Sequence, residues 1–252
     1  MTEAGRGPVV VTGGTSGIGL AVAAAVVADG RPVTVLGRDA GRREAAVRFL
    51  SEVGGSHAPV LALEADTIDE SALQRAVHRT IARWGRLDGL VTSAGRLARG
   101  STVDLAPAEF RAALETNVLG TWLAVRACLP AMLEQRHGRI VTIGSVLGTV
   151  GAAERAAYAA TKGAVAAFTR SLALEVAGRG VTANCVAPGP VRSPMNAAQA
   201  ADTASERFDG GIPAGRWGAP SDVASAVLPL LAPAASWTTG AVIHVDGGYT
   251  AQ

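Results

Sequence analysis

The stretch that decides the fold is Val9-Val10-Val11-Thr12-Gly13-Gly14-Thr15-Ser16-Gly17-Ile18-Gly19, which an alanine-rich segment over residues 20–28 follows. The valine run predicts a strand buried on both faces, and the alanine-rich segment predicts a helix. Glycines in such a turn let the backbone approach a phosphate, and the helix N-terminus attracts negative charge. The stretch therefore predicts a dinucleotide pyrophosphate site, although a plain strand-to-helix turn shares part of this pattern.

The alternation of strand and helix continues along the whole chain. Further strands are predicted over residues 32–36, 59–63, 87–91, 139–143, 181–187 and 241–245, and further helices over residues 70–84, 107–133, about 156–177 and about 221–231. This order predicts an α/β protein with one domain over residues 1–252. We expect a Rossmann fold, with a doubly wound parallel sheet of seven strands and helices on both faces.

The composition excludes several classes of function. The chain has 252 residues, 48% of them hydrophobic, and a net charge of +2 with its arginines dispersed. This charge does not predict binding to a nucleic acid or to a membrane surface. No apolar run approaches the roughly 18 residues of a membrane span. Cys128 and Cys185 lie in apolar runs, which indicates buried thiols, a reducing compartment and a cytoplasmic location. The histidines are scattered, so we predict no metal site.

Tyr158 and Lys162 form the central chemical motif. Four residues apart in a predicted helix, they lie on the same face. A nearby ammonium favours phenolate, so we expect the pKa of Tyr158 to fall below its usual value of about 10. Such a tyrosine can exchange a proton with a reacting oxygen, which the hydroxyl of Ser145 could hold. Lys162 is the one lysine of the chain. Either it marks a place that a guanidinium cannot fill, or an exposed lysine survived by chance.

Charged residues after the second and third strands bear on the choice of dinucleotide. Arg38 follows the second strand, where an arginine accommodates the 2′-phosphate of NADP, so NADP(H) is favoured and NAD(H) stays possible. Alternatively, Arg38 begins a solvated helix that Asp39 caps. Asp66 follows the third strand and could accept a hydrogen bond from adenine. It could also cap the next helix, a role for which Asp69 competes.

Two further regions depart from regular patterns. Asn117 lies inside a predicted helix, where its amide competes for backbone hydrogen bonds. This indicates either a local irregularity with a functional amide or a side chain that faces solvent. Residues 191–217 show no periodicity, which is typical of a substrate-binding loop. We expect the substrate pocket to be completed by Arg96, Leu97, Val146, Leu147 and Arg155.

Together these motifs resemble those of the short-chain dehydrogenase/reductase (SDR) family, over nearly the whole chain. The glycine segment, Asn117, Ser145, the Tyr158-x-x-x-Lys162 motif, Pro188-Gly189 and the closing Val245-Asp246-Gly247-Gly248 occur in the family's order. Residues 143–149 are most similar to the 3-oxoacyl-thioester reductase branch, although sugar and polyol dehydrogenases share much of this segment. Three features depart from the family: Thr92-Ser93 replaces the usual Asn-Asn, Ser193 replaces the threonine after Pro-Gly, and the glycine segment lacks the basic residue that many NADP-preferring members carry.

The resemblance implies a role for each catalytic residue. Tyr158 would be the general acid in reduction and the base in oxidation, Lys162 would hold the nicotinamide ribose, and Ser145 would orient the substrate carbonyl. Asn117 would anchor a water that relays protons to Lys162. The implied cofactor-binding residues are Gly13, Thr15, Ser16, Gly17, Ile18, Gly19, Arg38, Asp39, Asp66, Thr67, Ser93, Ala94, Gly95, Tyr158, Lys162, Pro188, Gly189, Val191 and Ser193. The resemblance also implies a homotetramer.

The sequence thus predicts an NADP(H)-dependent oxidoreductase that transfers hydride reversibly between the nicotinamide and a ketone or secondary alcohol. A 3-oxoacyl thioester is the favoured substrate, either as a small molecule or presented by a carrier. One alternative is an NAD(H)-dependent sugar or polyol dehydrogenase. A second alternative, from another class of protein, is a nucleotide sensor without catalytic activity, because a fold does not fix a function.

Overall fold

The computed structural model describes residues 6–55, 58–196 and 211–251, in which one parallel sheet has the strand order β3-β2-β1-β4-β5-β6-β7. The strands are β1 (Val9–Thr12), β2 (Val33–Gly37), β3 (Val60–Glu64), β4 (Gly89–Thr92), β5 (Gly138–Ile143), β6 (Val181–Pro188) and β7 (Val242–Val245). The predicted seven-stranded parallel sheet is confirmed. The run of valines in β1 is buried, as expected of a strand with helices on both sides.

Helices cover both faces of the sheet. They are α1 (Gly17–Ala28), α2 (Ala40–Gly54), α3 (Glu70–Trp84), α4 (Pro107–Leu114), α5 (Gly120–Glu134), α6 (Ala156–Val176) and α7 (Pro220–Leu230). On one face, Val22 of α1 and Val227 of α7 belong to one buried apolar cluster. On the other face, Leu73 of α3, Leu123 of α5 and Leu172 of α6 belong to a second. The doubly wound arrangement therefore has one core on each side of the sheet.

A π-helical segment, Glu115–Leu119, interrupts the helix that the sequence predicts over residues 107–133. Asn117 lies in this segment and is only 1% exposed. Single π turns inside helices occur frequently at functional sites. The expectation of a local irregularity is confirmed, and the alternative of a solvent-facing asparagine is wrong.

The strand order reverses between β1 and β4, and the turns after these two strands touch. Gly13 has a φ of +64°, and a Cβ placed there would lie 2.8 Å from the Cα of Ala94. A glycine is therefore needed at this position for the two turns to pack. In open parallel sheets, the crevice at such a reversal is where ligands bind.

Cys128 and Cys185 are both buried, as their apolar neighbours predict, and they are not joined by a disulfide. Within the described part of the chain, none of the helices has both the length and the apolar character that crossing a membrane requires.

Candidate active site

A cleft of about 340 Å³ lies at the carboxyl ends of the strands where their order reverses. Its lining includes the predicted cofactor residues Gly13, Thr15, Ser16, Gly17, Ile18, Arg38, Asp39, Asp66, Thr67, Ser93, Ala94, Gly95, Tyr158, Lys162, Pro188, Gly189, Val191 and Ser193. Gly19 is not part of this lining. A Cβ at Gly19 would lie 2.4 Å from the carbonyl oxygen of Gly13, so this glycine lets α1 pack against its own turn.

The N-terminus of α1 fits a pyrophosphate. The side chain of its N-cap residue, Ser16, makes no capping hydrogen bond, and the first turn contains no acidic residue. The first N–H groups of a helix lack partners inside the helix and carry partial positive charge. Gly17 has a φ of +53°, and a Cβ there would lie 3.5 Å from the Cδ of Pro194 and 3.7 Å from the Cβ of Ser193, other residues of the cleft wall. The positive φ, rather than a lack of space, is therefore the reason for glycine at this position.

At the far end of the cleft, Arg38 and Asp39 have separate roles. Asp39 caps α2, because its Oδ1 accepts a hydrogen bond from the backbone N–H of Arg42 at 2.7 Å. Arg38 nevertheless lines the cleft, with its side chain 78% exposed and its Nη1 3.3 Å from Oδ2 of Asp66. Asp69, rather than Asp66, caps α3 by accepting from the backbone N–H of Ala72 at 3.0 Å. The carboxylate of Asp66 therefore stays at the cleft.

Arg43 fixes the end of β2, a role that the sequence did not indicate. Its Nη1 donates to the carbonyl oxygens of Gly37 and Arg38 at 3.0 and 2.6 Å, and its Nη2 pairs with Glu64 at 3.1 Å. The guanidinium of Arg43 thus donates hydrogen bonds to the backbone that carries Arg38. The backbone of Arg38 is held while its own guanidinium faces the cleft.

Ser145, Tyr158 and Lys162 come together beside this cleft. Ser145 follows β5 and begins a short 3-10 turn, where its Oγ accepts from the backbone N–H of Leu147 at 3.1 Å. Tyr158 and Lys162 lie in α6, with the Nζ of Lys162 5.7 Å from the centre of the tyrosine ring. Lys162 is 6% exposed, and its Nζ donates to the carbonyl oxygen of Ile143 at 2.8 Å. The possibility that it is an exposed lysine kept by chance is wrong.

Burial governs the charge states of this group. Desolvation raises the pKa of Tyr158 to about 12, against smaller lowering effects of its hydrogen bond with Ser145 and the positive charge of Arg155. Desolvation also lowers the pKa of Lys162 to about 8. The sequence-based expectation that Lys162 would lower the pKa of Tyr158 is therefore corrected. Desolvation of the phenolate dominates this pKa, and Arg155 rather than Lys162 is the cation whose charge acts against it.

Asn117 connects the π-helical segment to two other parts of the site. Its Oδ1 accepts from the backbone N–H of Arg96 at 2.7 Å, and its Nδ2 donates to the carbonyl oxygen of Arg96 at 2.9 Å. Nδ2 also donates at 2.9 Å to Oγ1 of Thr161, whose hydroxyl donates to the carbonyl oxygen of Tyr158 at 2.7 Å. Both amide hydrogens are thus engaged. Thr161, which the sequence did not indicate, links Asn117 to the backbone of the tyrosine.

The turn after β4 is secured in a different way from the one that the sequence suggests. The resemblance implies that Ser93 takes the place of an amide that steadies the central strand, but the hydrogen bonds to β1 come from Thr12. The hydroxyl oxygen of Thr12 accepts from the backbone N–H of Ala94 at 3.3 Å, and its carbonyl oxygen accepts from the N–H of Ser93 at 3.2 Å. Among the described residues, the buried Oγ1 of Thr92 has no hydrogen-bond partner.

A second cavity of about 320 Å³ adjoins the first and shares Ser145 and Tyr158 with it. Of the residues expected to line a substrate pocket, Leu97, Val146, Leu147, Arg155 and Trp217 line this cavity. The expectation for Arg96 is wrong, because its side chain is exposed and pairs with Glu109 at 2.7 Å. We call the second cavity the substrate pocket.

Five residues that line the substrate pocket were not predicted from the sequence, namely Arg99, Ala152, Ala153, Glu154 and Tyr249, whereas Asn196 belongs to the predicted loop over 191–217. Asn196 binds its neighbours through its side chain: Oδ1 accepts from the N–H and the hydroxyl of Ser193, both at 2.9 Å, and Nδ2 donates to the carbonyl oxygen of Val191 at 2.7 Å. Tyr249 reaches the pocket from the C-terminal turn, in which Oδ2 of Asp246 accepts from the N–H of Thr250 at 2.9 Å. Within the predicted loop over 191–217, residues 197–210 lie outside the described part of the chain, Phe208 among them.

Comparison with known proteins agrees with this geometry. A family model described as enoyl-(acyl carrier protein) reductase matches residues 13–250. The chain is 40% identical to 2-(S)-hydroxypropyl-CoM dehydrogenase 3 of Xanthobacter autotrophicus over 248 residues, 96% of each chain. It is 36% identical to the 3-oxoacyl-(acyl-carrier-protein) reductase of Salmonella typhimurium over 239 residues, 95% of each. Among solved structures, levodione reductase superposes with a TM-score of 0.93 at 32% identity over 98% of both chains. A variant of actinorhodin polyketide ketoreductase with NADPH superposes with a TM-score of 0.90 at 33% identity over 96% of both.

Proposed function

Since the chain belongs to the short-chain dehydrogenase/reductase family of NAD(P)-dependent oxidoreductases, we propose that it reduces a ketone with NADPH and that a 3-oxoacyl thioester is its substrate. One observation carries this proposal. Ser145 and Tyr158 lie where the cleft meets the substrate pocket, with Lys162 buried beside the tyrosine ring. A carbonyl held there would face a hydroxyl and a phenol on one side and the cleft on the other.

The protein's own residues supply the proton and the geometry. When bound, the nicotinamide supplies the hydride that adds to the carbonyl carbon. The phenol of Tyr158 donates its proton to the carbonyl oxygen, and the hydroxyl of Ser145 donates a hydrogen bond that orients this oxygen. With one N–H of Lys162 donated to Ile143, its other donors remain for the nicotinamide ribose. Both amide hydrogens of Asn117 are already donated. A relay water would therefore donate a hydrogen bond to an oxygen atom of Asn117.

The raised pKa of Tyr158 means that the site rests in the protonated form that ketone reduction uses. With a pKa of about 12, the phenol keeps its proton at neutral pH, the form that a general acid needs. Alcohol oxidation starts from the phenolate and should therefore need a higher pH, whereas the equilibrium between ketone and alcohol does not depend on this pKa. The names of two matched proteins, a 3-oxoacyl reductase and a ketoreductase with NADPH, support reduction as the direction.

A panel of carbonyl compounds and alcohols tests the proposed function. S-acetoacetyl-N-acetylcysteamine, cyclic diketones and polyols would be offered to the purified protein with NADPH and NADH, or with NADP⁺ and NAD⁺, side by side. We expect NADPH-dependent reduction of the thioester. Oxidation of polyols with NAD⁺ alone would favour the alternative of a polyol dehydrogenase. Binding of NADPH without turnover of any compound would favour the nucleotide sensor.

Arg38 is proposed to select NADP(H) over NAD(H). Its exposed guanidinium stands at the end of the cleft on a backbone that Arg43 holds, where it can meet a 2′-phosphate. A charge-assisted hydrogen bond contributes about 1.5–3 kcal/mol, so Arg38→Ala should raise the KM for NADPH about 10- to 100-fold and leave the KM for NADH nearly unchanged. Steady-state kinetics with both dinucleotides measures this. Arg48→Ala, at an exposed position of α2, is the matched control. Equal losses with NADPH and NADH would contradict the role.

We further propose a homotetramer in which α5, α6 and the π-helical segment between α4 and α5 form a subunit contact. Leu119 and Trp122 are 43% and 39% exposed, and they line a shallow apolar groove together with Val118 and Phe168. Apolar patches of this kind mark protein contacts. Light scattering after gel filtration should give four times the mass of the chain.

The substrate-binding role of residues 191–217 and the cytoplasmic location stay predictions.

A further inference from the structure

Charged side chains collect at one wall of the substrate pocket. Of the described residues that line it, three are charged: Arg99, Glu154 and Arg155. Two guanidinium groups and one carboxylate give this wall a net positive charge. The other described lining residues are apolar or neutral, so an anion would meet no competing acid among them.

The backbone of Glu154 holds this wall together. Its carbonyl oxygen accepts from the backbone N–H of Gly100 at 3.1 Å and from Nη1 of Arg155 at 3.2 Å. Its carboxylate lies 3.7 Å from Nε of Arg99. Glu154 itself has a φ of +59°, a left-handed conformation that costs energy in a residue other than glycine. Such strained residues cluster at ligand sites, where the surrounding structure holds them. The two arginines are thereby kept on the same side of the pocket.

Arg155 is placed close to the reacting group. It is the N-cap residue of α6 and precedes Tyr158 by three positions, which are neighbouring positions on a helix surface. Its guanidinium is partly buried, and desolvation together with the charge of Arg99 lowers its pKa. An anion that entered the pocket would offset both effects. The first turn of α6 contains no acidic residue, so the partial positive charge of this helix end adds to the attraction.

We propose that the substrate carries an anionic group that binds Arg155 and Arg99 while its carbonyl lies at Tyr158. This inference rests on the proposed reduction of a ketone at this site, and it adds a negatively charged group to the ketones that the site would take. The shared chemistry is an oxyanion that accepts hydrogen bonds from guanidinium groups, which bind carboxylate, sulfonate and phosphate well. Two sources could supply it: the acid group of a small oxo acid, or the phosphate of a pantetheine arm.

Matched pairs of ketones separate the charge from the rest of the substrate. The first pairs are 4-oxopentanoate and 5-oxohexanoate with their methyl esters. The second pair is S-acetoacetyl-4′-phosphopantetheine with S-acetoacetylpantetheine. The oxo acids with their esters form one set, and the two pantetheine thioesters form the other. With NADPH, we expect the kcat/KM of the wild type to be about tenfold or more higher for the anionic member than for the neutral member in one of these two sets. In Arg155→Gln this ratio should fall close to one. The set that shows the loss identifies the source of the anion.

The ratio is the readout because Arg155 also influences the pKa of Tyr158, so absolute rates for both members can fall. Arg75→Gln, on α3 with its side chain 67% exposed, is the control and should keep the wild-type ratio. Equal kcat/KM for anionic and neutral members in the wild type would overturn the inference and leave the proposed function intact. A preference that persists in Arg155→Gln would overturn it too. If no ketone of any set is reduced, the proposed function fails, and the inference fails with it.

Discussion

Replacing Tyr158 by phenylalanine should lower kcat for ketone reduction by about 10²- to 10⁴-fold, the range that general acid–base catalysis contributes. The variant removes one oxygen and its proton and keeps the ring that packs 5.7 Å from Nζ of Lys162. Ser145 still offers a hydroxyl, but its alcohol is a far weaker acid than a phenol. The affinity for NADPH should change little, because the ring and the lysine stay in place.

Two measurements separate a lost acid from a damaged site. Single-turnover reduction monitors the chemical step, and fluorescence titration with NADPH monitors the binding of the dinucleotide. Tyr249→Phe is the matched comparison, since Tyr249 is the other tyrosine of the chain and lines the same substrate pocket. A loss of similar size in Tyr249→Phe, or unchanged turnover in Tyr158→Phe, would contradict the assignment of Tyr158 as the proton donor.

The parts of this site that the sequence predicts are those that local spacing determines. Gly13, Ser145, Tyr158 and Lys162 each lie at a strand end or on one helix face, so their proximity follows from the parallel sheet and the helical repeat. The same reasoning found the irregular helix around Asn117. The place of each of these residues in the fold follows from the strand or helix to which it belongs.

Other parts depend on contacts between segments that are distant in the chain. Thr161 meets Asn117 across 44 positions, and this contact has no periodic signal. Tyr249 enters the substrate pocket through a turn that Asp246 organises. The pKa of Tyr158 was predicted in the wrong direction because spacing gives the distance to Lys162 but not the depth of burial. Desolvation raises this pKa, and Lys162 is not among the groups that lower it.

Lys162→Met should weaken NADPH binding about 10- to 100-fold at pH 7, the value of one charge-assisted hydrogen bond. Methionine is similar in length and apolar, so it can occupy the buried channel that the lysine stem fills. It has no donor for the carbonyl oxygen of Ile143 or for a ribose. The variant therefore removes the ammonium with little change in volume, and calorimetric titration with NADPH measures the effect directly.

The pH dependence of the same binding constant distinguishes a loss of charge from a loss of packing. Burial lowers the pKa of Lys162 to about 8 in the protein alone. If bound NADPH requires the ammonium, binding above this pH takes up a proton, so the Kd of the wild type should rise as pH increases from 7 to 9.5. Because a neutral lysine offers no charge, this Kd should approach that of Lys162→Met, whose Kd should stay level over the same range. Parallel curves for the two proteins would mean that the charge of Lys162 takes no part in holding the dinucleotide.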